Sequence, residues 1–369
     1  MRRARLSGGG GVAVGPGALP RTGRNSVRVS LKDVASHAGV SIKTVSNVVN
    51  DHPHVSPAMR ARVQKSIDEL GYRPNLTARH LRKGRTGIVA LALPELGNPY
   101  FAELAAEVVD AAAAHDYTVL LDHTGGRRDQ EALVSQGFRA RVIDGLILSP
   151  IELEAEDLRA RAEPVPLVLL GEREYDLPYD HIAIDNVAAA REAVRHLISL
   201  GRRDIAFLGA RRGRSQPAHL RLRGWREALD AAGLVADHRL VAATDGWGHA
   251  DGAAAMARLL DAGHRPDAVF AYNDPIAIGA MRVLAERGLR VPEDVAVVGF
   301  DDVVEGRFGA VTLTSVSPDK ASIARMAVES VLSQLDGAPR GEARRIHAGY
   351  RLVRRESTLG SDAPPPTPA

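Results

Sequence analysis

From Gly87 onward, short apolar runs alternate with helical patterns, and few folds accept that alternation. The runs are Ile88–Leu93, Thr118–Leu121, Gly145–Leu148, Leu167–Leu170, Ile205–Leu208, Ala268–Ala271 and Val295–Phe300. Each is short and continuously apolar, as expected of parallel strands covered on both faces. Amphipathic patterns over 102–115, 129–140, 187–200, 221–232, 251–262, 276–287 and 320–335 separate most of them. Repeated strand–helix units predict a doubly wound α/β architecture. One sheet rarely holds so many units, so two similar subdomains are expected within residues 87–358.

The 86 residues before this body carry a different text. Residues 30–74 read as three short helices. Ser30 with Asp33 resembles a capping box at the start of a helix running to Ala38, and Gly39 ends it. Ser41 caps a second helix through Val49. Ser56-Pro57 opens a third, with Ser as cap and Pro at the first helical position, ending near Leu70-Gly71. Ala35 and Gly39 are small where two helices must touch and turn. Val34, Val40, Val45 and Val48 supply the apolar contact of a helix-turn-helix. The second helix then leaves Ile42, Lys43, Ser46 and Asn47 on its outer side. Such a helix reads base edges with its N-terminal side chains: Lys43 can donate to guanine, and Asn47 can pair bidentately with adenine. The plainer alternative is a small helical domain with a solvated polar face.

Charge separates these readings. Residues 1–86 hold 16 Lys and Arg against 4 Asp and Glu, a charge of +12, whereas residues 87–369 hold 32 against 41, a charge of −9. A basic head on an acidic body seeks polyanions through the head alone, which favours nucleic acid. Residues 1–29 form a Gly- and Arg-rich leader expected to be disordered. It has no apolar stretch of the kind a secretion signal needs. Residues 359–369 are Pro-rich and are likewise expected to be a disordered tail.

Enzymatic chemistry finds little support. With 0 cysteines there is no thiol nucleophile and no zinc–thiolate site. The 13 histidines do not cluster at metal-ligand spacing. No G-x-S-x-G, P-loop or H-E-x-x-H motif occurs. Asp301-Asp302 follows a strand as a paired carboxylate and is read as a cap or structural group. Neither catalytic residues, cofactor nor metal is expected. No apolar run is long enough to span a bilayer, so no membrane partner is expected either.

Leu31-Lys-Asp-Val-Ala-Ser-His-Ala-Gly-Val-Ser-Ile-Lys-Thr-Val-Ser-Asn-Val-Val-Asn50 resembles the DNA-binding head of the lactose-repressor (LacI/GalR) family. Val55-Ser-Pro, Leu70-Gly-Tyr-Arg-Pro-Asn75 and Ala78-Arg-His-Leu81 continue the resemblance in order, and it extends through the body to about residue 358. It implies a small all-α helix-turn-helix head plus an α/β body of two doubly wound subdomains, periplasmic-binding-protein-like. It also implies a cytoplasmic, homodimeric transcriptional regulator, a repressor, on a pseudo-palindromic double-stranded operator. No heptad pattern follows residue 340, so a coiled-coil tetramer is not expected.

Residue roles follow from the same resemblance. Ser41, Ile42, Lys43, Thr44, Ser46, Asn47, Asn50, Tyr72, Arg79 and Leu81 are implied as DNA contacts. The family often has Arg where this chain has Asn47, which leaves the preferred base at that operator position open. Residues 75–86 are implied to be a hinge helix or linker. The nine residues of this basic segment from Asn75 to Lys83 are too few for a stable isolated helix, and the family's hinge folds on DNA with its leucine, here Leu81, wedged into the minor groove.

The body is implied to bind a small-molecule effector, a sugar, in the cleft beyond the strand ends. Asp274 directly follows a strand, so it either caps the next helix or accepts ligand hydroxyls. The match of Ala271-Tyr-Asn-Asp-Pro-Ile-Ala-Ile-Gly279 favours the ligand. Arg221 matches the family's effector-binding Arg in Leu220-Arg-Leu-Arg-Gly-Trp225, and Trp225 is read as core. Trp247 lies among glycines where some family members stack an aromatic on the ligand. Tyr100 and Phe101 correspond to aromatics of the opposite wall. Arg173 and Asp185, at strand ends, are weaker candidates. The rival readings are a solute-binding protein, which needs a secretion signal and no basic head, and a sugar-processing enzyme with the same body fold.

Overall fold

The computed structural model describes residues 29–73, 80, 84–137, 142–161, 165–171, 175, 177–210, 216–337 and 344–363. Leader residues 1–28 and the hinge positions Arg79 and Leu81 lie outside the described residues. The chain divides into two compact units after Asn75.

The first unit holds three helices, α1 (Leu31–Ala38), α2 (Ile42–Val49) and α3 (Pro57–Leu70). Their ends follow from local chemistry. The Ser30 hydroxyl accepts from the Asp33 amide while the Asp33 carboxylate accepts from the Ser30 amide. Gly39 stops α1 at φ +64°, a conformation costly for residues with a Cβ. Ser41 and Ser56 accept from the Thr44 and Met59 amides and so cap α2 and α3. Val34, Ala35, Ala38, Val45, Val48 and Val63 close one small core. Full burial of each valine is worth about 1.5–3 kcal/mol, so this core offsets the poor autonomy of helices only eight residues long.

The second unit contains two six-stranded sheets. In sheet one the order is β11 (Arg345–His347), β5 (Asp180–Ala183), β4 (Leu167–Leu170), β3 (Gly145–Leu148), β1 (Ile88–Leu93) and β2 (Thr118–His123), with all pairs parallel. In sheet two the order is β12 (Tyr350–Val353), β10 (Thr314–Pro318), β9 (Ala296–Phe300), β8 (Ala268–Ala271), β6 (Ile205–Ala210) and β7 (Val241–Ala243). Only the β10–β12 pair is antiparallel. The helices that cover them are α4 (Pro99–Ala113), α5 (Arg128–Ser135), α6 (Ala155–Arg159), α7 (Asn186–Ser199), α8 (Gln216–Ala231), α9 (His249–Asp261), α10 (Asp274–Glu286), α11 (Lys320–Leu335) and α12 (Glu356–Leu359).

The chain passes between the sheets three times: from β5 into α7, from β10 into α11, and from β11 into β12. The helix α11 follows a strand of sheet two yet packs on sheet one. A Cβ at Gly145 in β3 would lie 2.2 Å from the Val331 side chain of α11, which only glycine tolerates. Because of these passages, each sheet recruits strands from distant parts of the sequence.

All seven predicted strands are present, with ends shifted by at most two residues. Five strands went unread: β5, β7, β10, β11 and β12. Asp180-His-Ile-Ala, Thr314-Ser-Val-Ser-Pro and Arg345-Ile-His carry polar residues, so they lack an apolar run. Their polar groups are absorbed by partners: Asp180 accepts from Arg344 and Ser330, and Thr314 binds Ser357 and Thr358. The tail expected to be disordered from residue 359 is structured through Asp362, because Leu359 closes α12 and Gly360–Asp362 adds a 3-10 turn.

Candidate functional site

The head presents one helix face. Val45 and Val48 are buried, whereas Ser41, Ile42, Lys43 and Asn50 are exposed and Thr44, Ser46 and Asn47 are half-buried. Ile42 is an apolar side chain 49 % exposed in the first turn of α2. Ser41 is committed to its cap, with its hydroxyl 2.9 Å from that of Thr44. The Asn50 amide donates to the Ser46 carbonyl at 2.7 Å, closing the far end of α2. Tyr72 is half-buried against the head core. The groups turned outward at the start of α2 are therefore Ile42 and Lys43, with Ser46 and Asn47 one turn further on.

The body's cleft lies beyond the carboxyl ends of both sheets. Sheet one contributes Asn98, Tyr100 and Phe101 from the loop after β1 and the start of α4, together with Ser149 and Gly171 after β3 and β4. Sheet two contributes Gln216 and Arg221 of α8, Trp247, Tyr272 and Asn273 after β8, and Asp301 after β9. The passages at Ala183 and Pro318 line its floor.

Arg221 is the best-braced charged group here, and it is buried. Its Nε donates to Asn186 Oδ1 at 2.7 Å, and Nη1 donates to the Tyr272 carbonyl. Its guanidinium centre lies 3.5 Å from the Phe300 ring centroid and 4.6 Å from that of Tyr272. Nη2 stands 3.8 Å from Asp301 Oδ1. A planar cation stacked between aromatic rings keeps one edge in a fixed direction. Asp301 holds its carboxylate beside that edge with φ at +104°, a strained conformation for a non-glycine residue. Trp247 lies 6.5 Å from Tyr272 with ring planes 21° apart, and Tyr100 meets Phe101 edge-on at 5.2 Å. A cation–carboxylate–amide group flanked by flat rings can bind vicinal hydroxyls while covering an apolar C–H face.

One expectation is corrected. Asp274 is fully buried and does not line the cleft. Its carboxyl accepts from the Ser315 hydroxyl at 2.6 Å and the Val303 amide at 2.8 Å. Burial pushes it well above the usual carboxylate range, with the Asp301 and Asp302 charges adding to that rise against the lowering by Ser315 and Val303. Nor does it cap the helix: Asn273 does, accepting from the Ile276 amide at 3.0 Å. The cap occupies the last position that still faces the strand ends, so Asn273 meets the cleft and the next residue turns into the core. Trp225 is core, as read, and donates to the Ile205 carbonyl. Asp185 caps α7. Arg173 lies outside the described residues.

Asn273 and Asp301 were missed as cleft residues. Both immediately follow β8 and β9 or lie within two residues of them, the place where open α/β sheets bind ligands. Strand-end placement alone does not say which of several adjacent polar residues turns toward the cleft. Asp301 and Asp302 behave differently although adjacent. Asp302 is buried, which works against its charge, yet Arg355 and Arg307 hold its carboxyl below the usual range. Asp302 is thus the structural half of the pair, salt-bridged to Arg355 at 2.6 Å. Among the described residues no cluster of His, Asp or Glu could hold a metal ion, and no helix is long and apolar enough to cross a membrane.

Comparison with known proteins agrees with this division. Residues 30–75 match the model of bacterial regulatory proteins, lacI family, and residues 194–358 match the periplasmic binding protein-like domain. Catabolite control protein A of Priestia megaterium is 30 % identical over 333 residues, covering 90 % of this chain and all of that one. The structure of the transcriptional regulator CelR–cellobiose complex is 33 % identical with a TM-score of 0.65, covering 89 % of this chain and 100 % of that one. The lac repressor dimer bound to operator and the anti-inducer ONPF is 28 % identical with a TM-score of 0.71, covering 90 % and 99 %.

Proposed function

We propose a specific role for a chain that belongs to the lacI family of bacterial regulatory proteins and is therefore a DNA-binding transcriptional regulator: it is a cytoplasmic repressor whose operator affinity is set by a sugar in the body's cleft. As a homodimer it presents two α2 helices to the half-sites of a pseudo-palindromic operator. Lys43 and Asn47 read base edges there, and residues 75–86 fold on the DNA as a hinge with Leu81 as wedge. The sugar meets Arg221, Asp301 and Asn273 with its hydroxyls and the rings of Trp247, Tyr100 and Phe101 with its apolar faces. Its coupling to DNA is the difference in its affinity for DNA-competent and incompetent states of the dimer, and it acts reciprocally.

The observation that carries this reading is the braced Arg221 edge beside Asp301, set among aromatic rings in a cleft between two sheets. The relatives support it, since CelR is seen with cellobiose and the lac repressor with operator. No catalytic step is assigned to the cleft, in keeping with relatives that are regulators. The test is a thermal-shift panel of cellobiose, ribose, other sugars, sugar phosphates and nucleobases. A ligand at 100 times its Kd adds about 2.7 kcal/mol, which raises Tm by about 3–5 °C for a chain of this size. A shift by sugars confirms the class; a shift by nucleobases alone overturns it.

A further inference from the structure

Outside the cleft, the two subdomains are joined by a polar contact that the effector reading does not use. Glu103 lies in α4 and Lys320 opens α11, and both helices pack on sheet one. They reach across to the segment that follows β9 of sheet two. One Glu103 carboxylate oxygen accepts from the Val304 amide at 2.9 Å, and the other pairs with Lys320 Nζ. Lys320 Nζ also donates to the Asp302 carbonyl at 3.3 Å and lies 5.8 Å from the centroid of the Tyr100 ring. The Lys320 side chain is only 11 % exposed and that of Glu103 29 %, so solvent screens this pair less than an open surface pair.

The position of the contact gives it meaning. Asp302 and Val304 flank a turn that begins at Asp301, the cleft carboxylate. Asp301 and Asp302 both have positive φ, +104° and +47°, so this corner is held by its surroundings rather than by its own preference. From below, the Asp274 carboxyl holds the Val303 amide. From sheet one, Glu103 and Lys320 hold the amide and carbonyl on either side of it. Tyr100, one wall of the cleft, has its ring beneath the same lysine at 5.8 Å.

We propose that Glu103 and Lys320 act as a latch between the subdomains, positioning the Asp301 corner and Tyr100 so that the two cleft walls face one another. The proposal rests on the reading of the cleft as an effector site, but its first test needs no effector. Hydrogen exchange of the 301–306 amides is measured on the full chain and on Glu103→Ala, Glu103→Gln and Lys320→Met. A hydrogen bond to a charged group is worth about 1.5–3 kcal/mol, or tenfold and upward in an equilibrium. Exchange at Val304 is therefore expected to accelerate about tenfold or more in Glu103→Ala. Glu103→Gln, which keeps a carbonyl oxygen for the Val304 amide and loses the ion pair, is expected to fall between that variant and the parent. It also covers the case in which Glu103→Ala fails to fold.

The charge-swapped double variant, Glu103→Lys with Lys320→Glu, separates a latch from an ordinary ion pair. It restores opposite charges but sets an ammonium against the Val304 amide and a carboxylate against the Asp302 carbonyl. A latch predicts that exchange stays fast; recovery to the parent rate overturns it. Unchanged Val304 exchange in both Glu103→Ala and Lys320→Met also overturns it. In a second arm, cellobiose is titrated by thermal shift. Binding by the parent that weakens about tenfold in Glu103→Gln, with the ligand-free Tm unchanged, supports the positioning role. A cellobiose response identical in parent and variant counts against it. A parent blind to every sugar, with exchange still accelerated in the variants, sinks the effector reading and leaves the latch standing.

Discussion

Asp274 shows how far a single residue's surroundings can move its role. A carboxylate at the end of a strand invites a ligand, but here two donors already hold it inside the core. Asp274→Ala leaves the Val303 amide without its acceptor and the Ser315 hydroxyl with only the long bond to the Val316 carbonyl. It is expected to cost about 2–5 kcal/mol of stability, read as a lower urea midpoint, rather than a selective loss of effector response. Asp274→Asn, which offers one acceptor to Val303 and a donor to Ser315, is expected to cost markedly less. A clean loss of sugar binding with full stability in both variants would restore Asp274 to the cleft. His196 yields a second prediction. Burial, with Arg354 adding to it, pushes the imidazole down to about 4 from 6.5, and its Nε2 pairs with the Thr358 hydroxyl at 2.9 Å. A histidine whose folded pKa lies below its unfolded value adds stability above the unfolded value. That stability is lost as pH falls through the window from about 6.5 to about 4. Urea midpoints measured across that window should fall in the parent and stay flatter in His196→Gln, by up to about 3 kcal/mol in all.

At the scale of elements, α2 is the part on which specificity turns. Its inner side is fixed by Val45 and Val48, so the outer side follows from helical spacing alone, and Asn47 falls on it. If Asn47 pairs with an adenine, Asn47→Ala costs about 1–3 kcal/mol against the preferred site and little against one changed at that base pair. Competition between the two operators measures this; an equal loss on both would make Asn47 a positioning residue. The body's elements show which signals sequence carries. Seven strands were legible from their continuous apolar runs, although β2, at the edge of sheet one, is only partly covered. The strands β5, β7, β10, β11 and β12 were not, since they are short or carry polar residues, and those of β5 and β10 are balanced by partners far away in the chain. Arg344 neutralises Asp180 and Ser330 donates a hydrogen bond to it, and nothing near residue 180 announces them. The same holds for the cleft. Arg221 and Trp247 were found through a resemblance, whereas Asp301 became a cleft group only when α8 set Arg221 beside it.

At the scale of the molecule, the head's +12 and the body's −9 predict steep electrolyte dependence. A dimer neutralising about 6–10 phosphates should lose about 10³–10⁵ in DNA affinity between 50 and 200 mM salt. Leu81→Ala is expected to keep that salt slope and lose the preference for operator over random DNA, as fluorescence anisotropy on both would read. Equal operator preference in mutant and parent would remove the wedge. The sequence by itself determined whatever rests on local or periodic terms. These are the three capped helices of the head, the apolar strands and covering helices of the body, and the division of charge between them. Caps, helical spacing and strand burial act over a few residues, so the text carries them. The tertiary structure alone decided which strands complete each sheet and which of two neighbouring residues, Asn273 or Asp274, faces the cleft. It also decided which of Asp301 and Asp302 is locked away by Arg355, and that Glu103 reaches the Val304 amide. Those outcomes depend on groups up to 201 residues apart in the chain, brought together by three passages between sheets, and no local pattern encodes that distance.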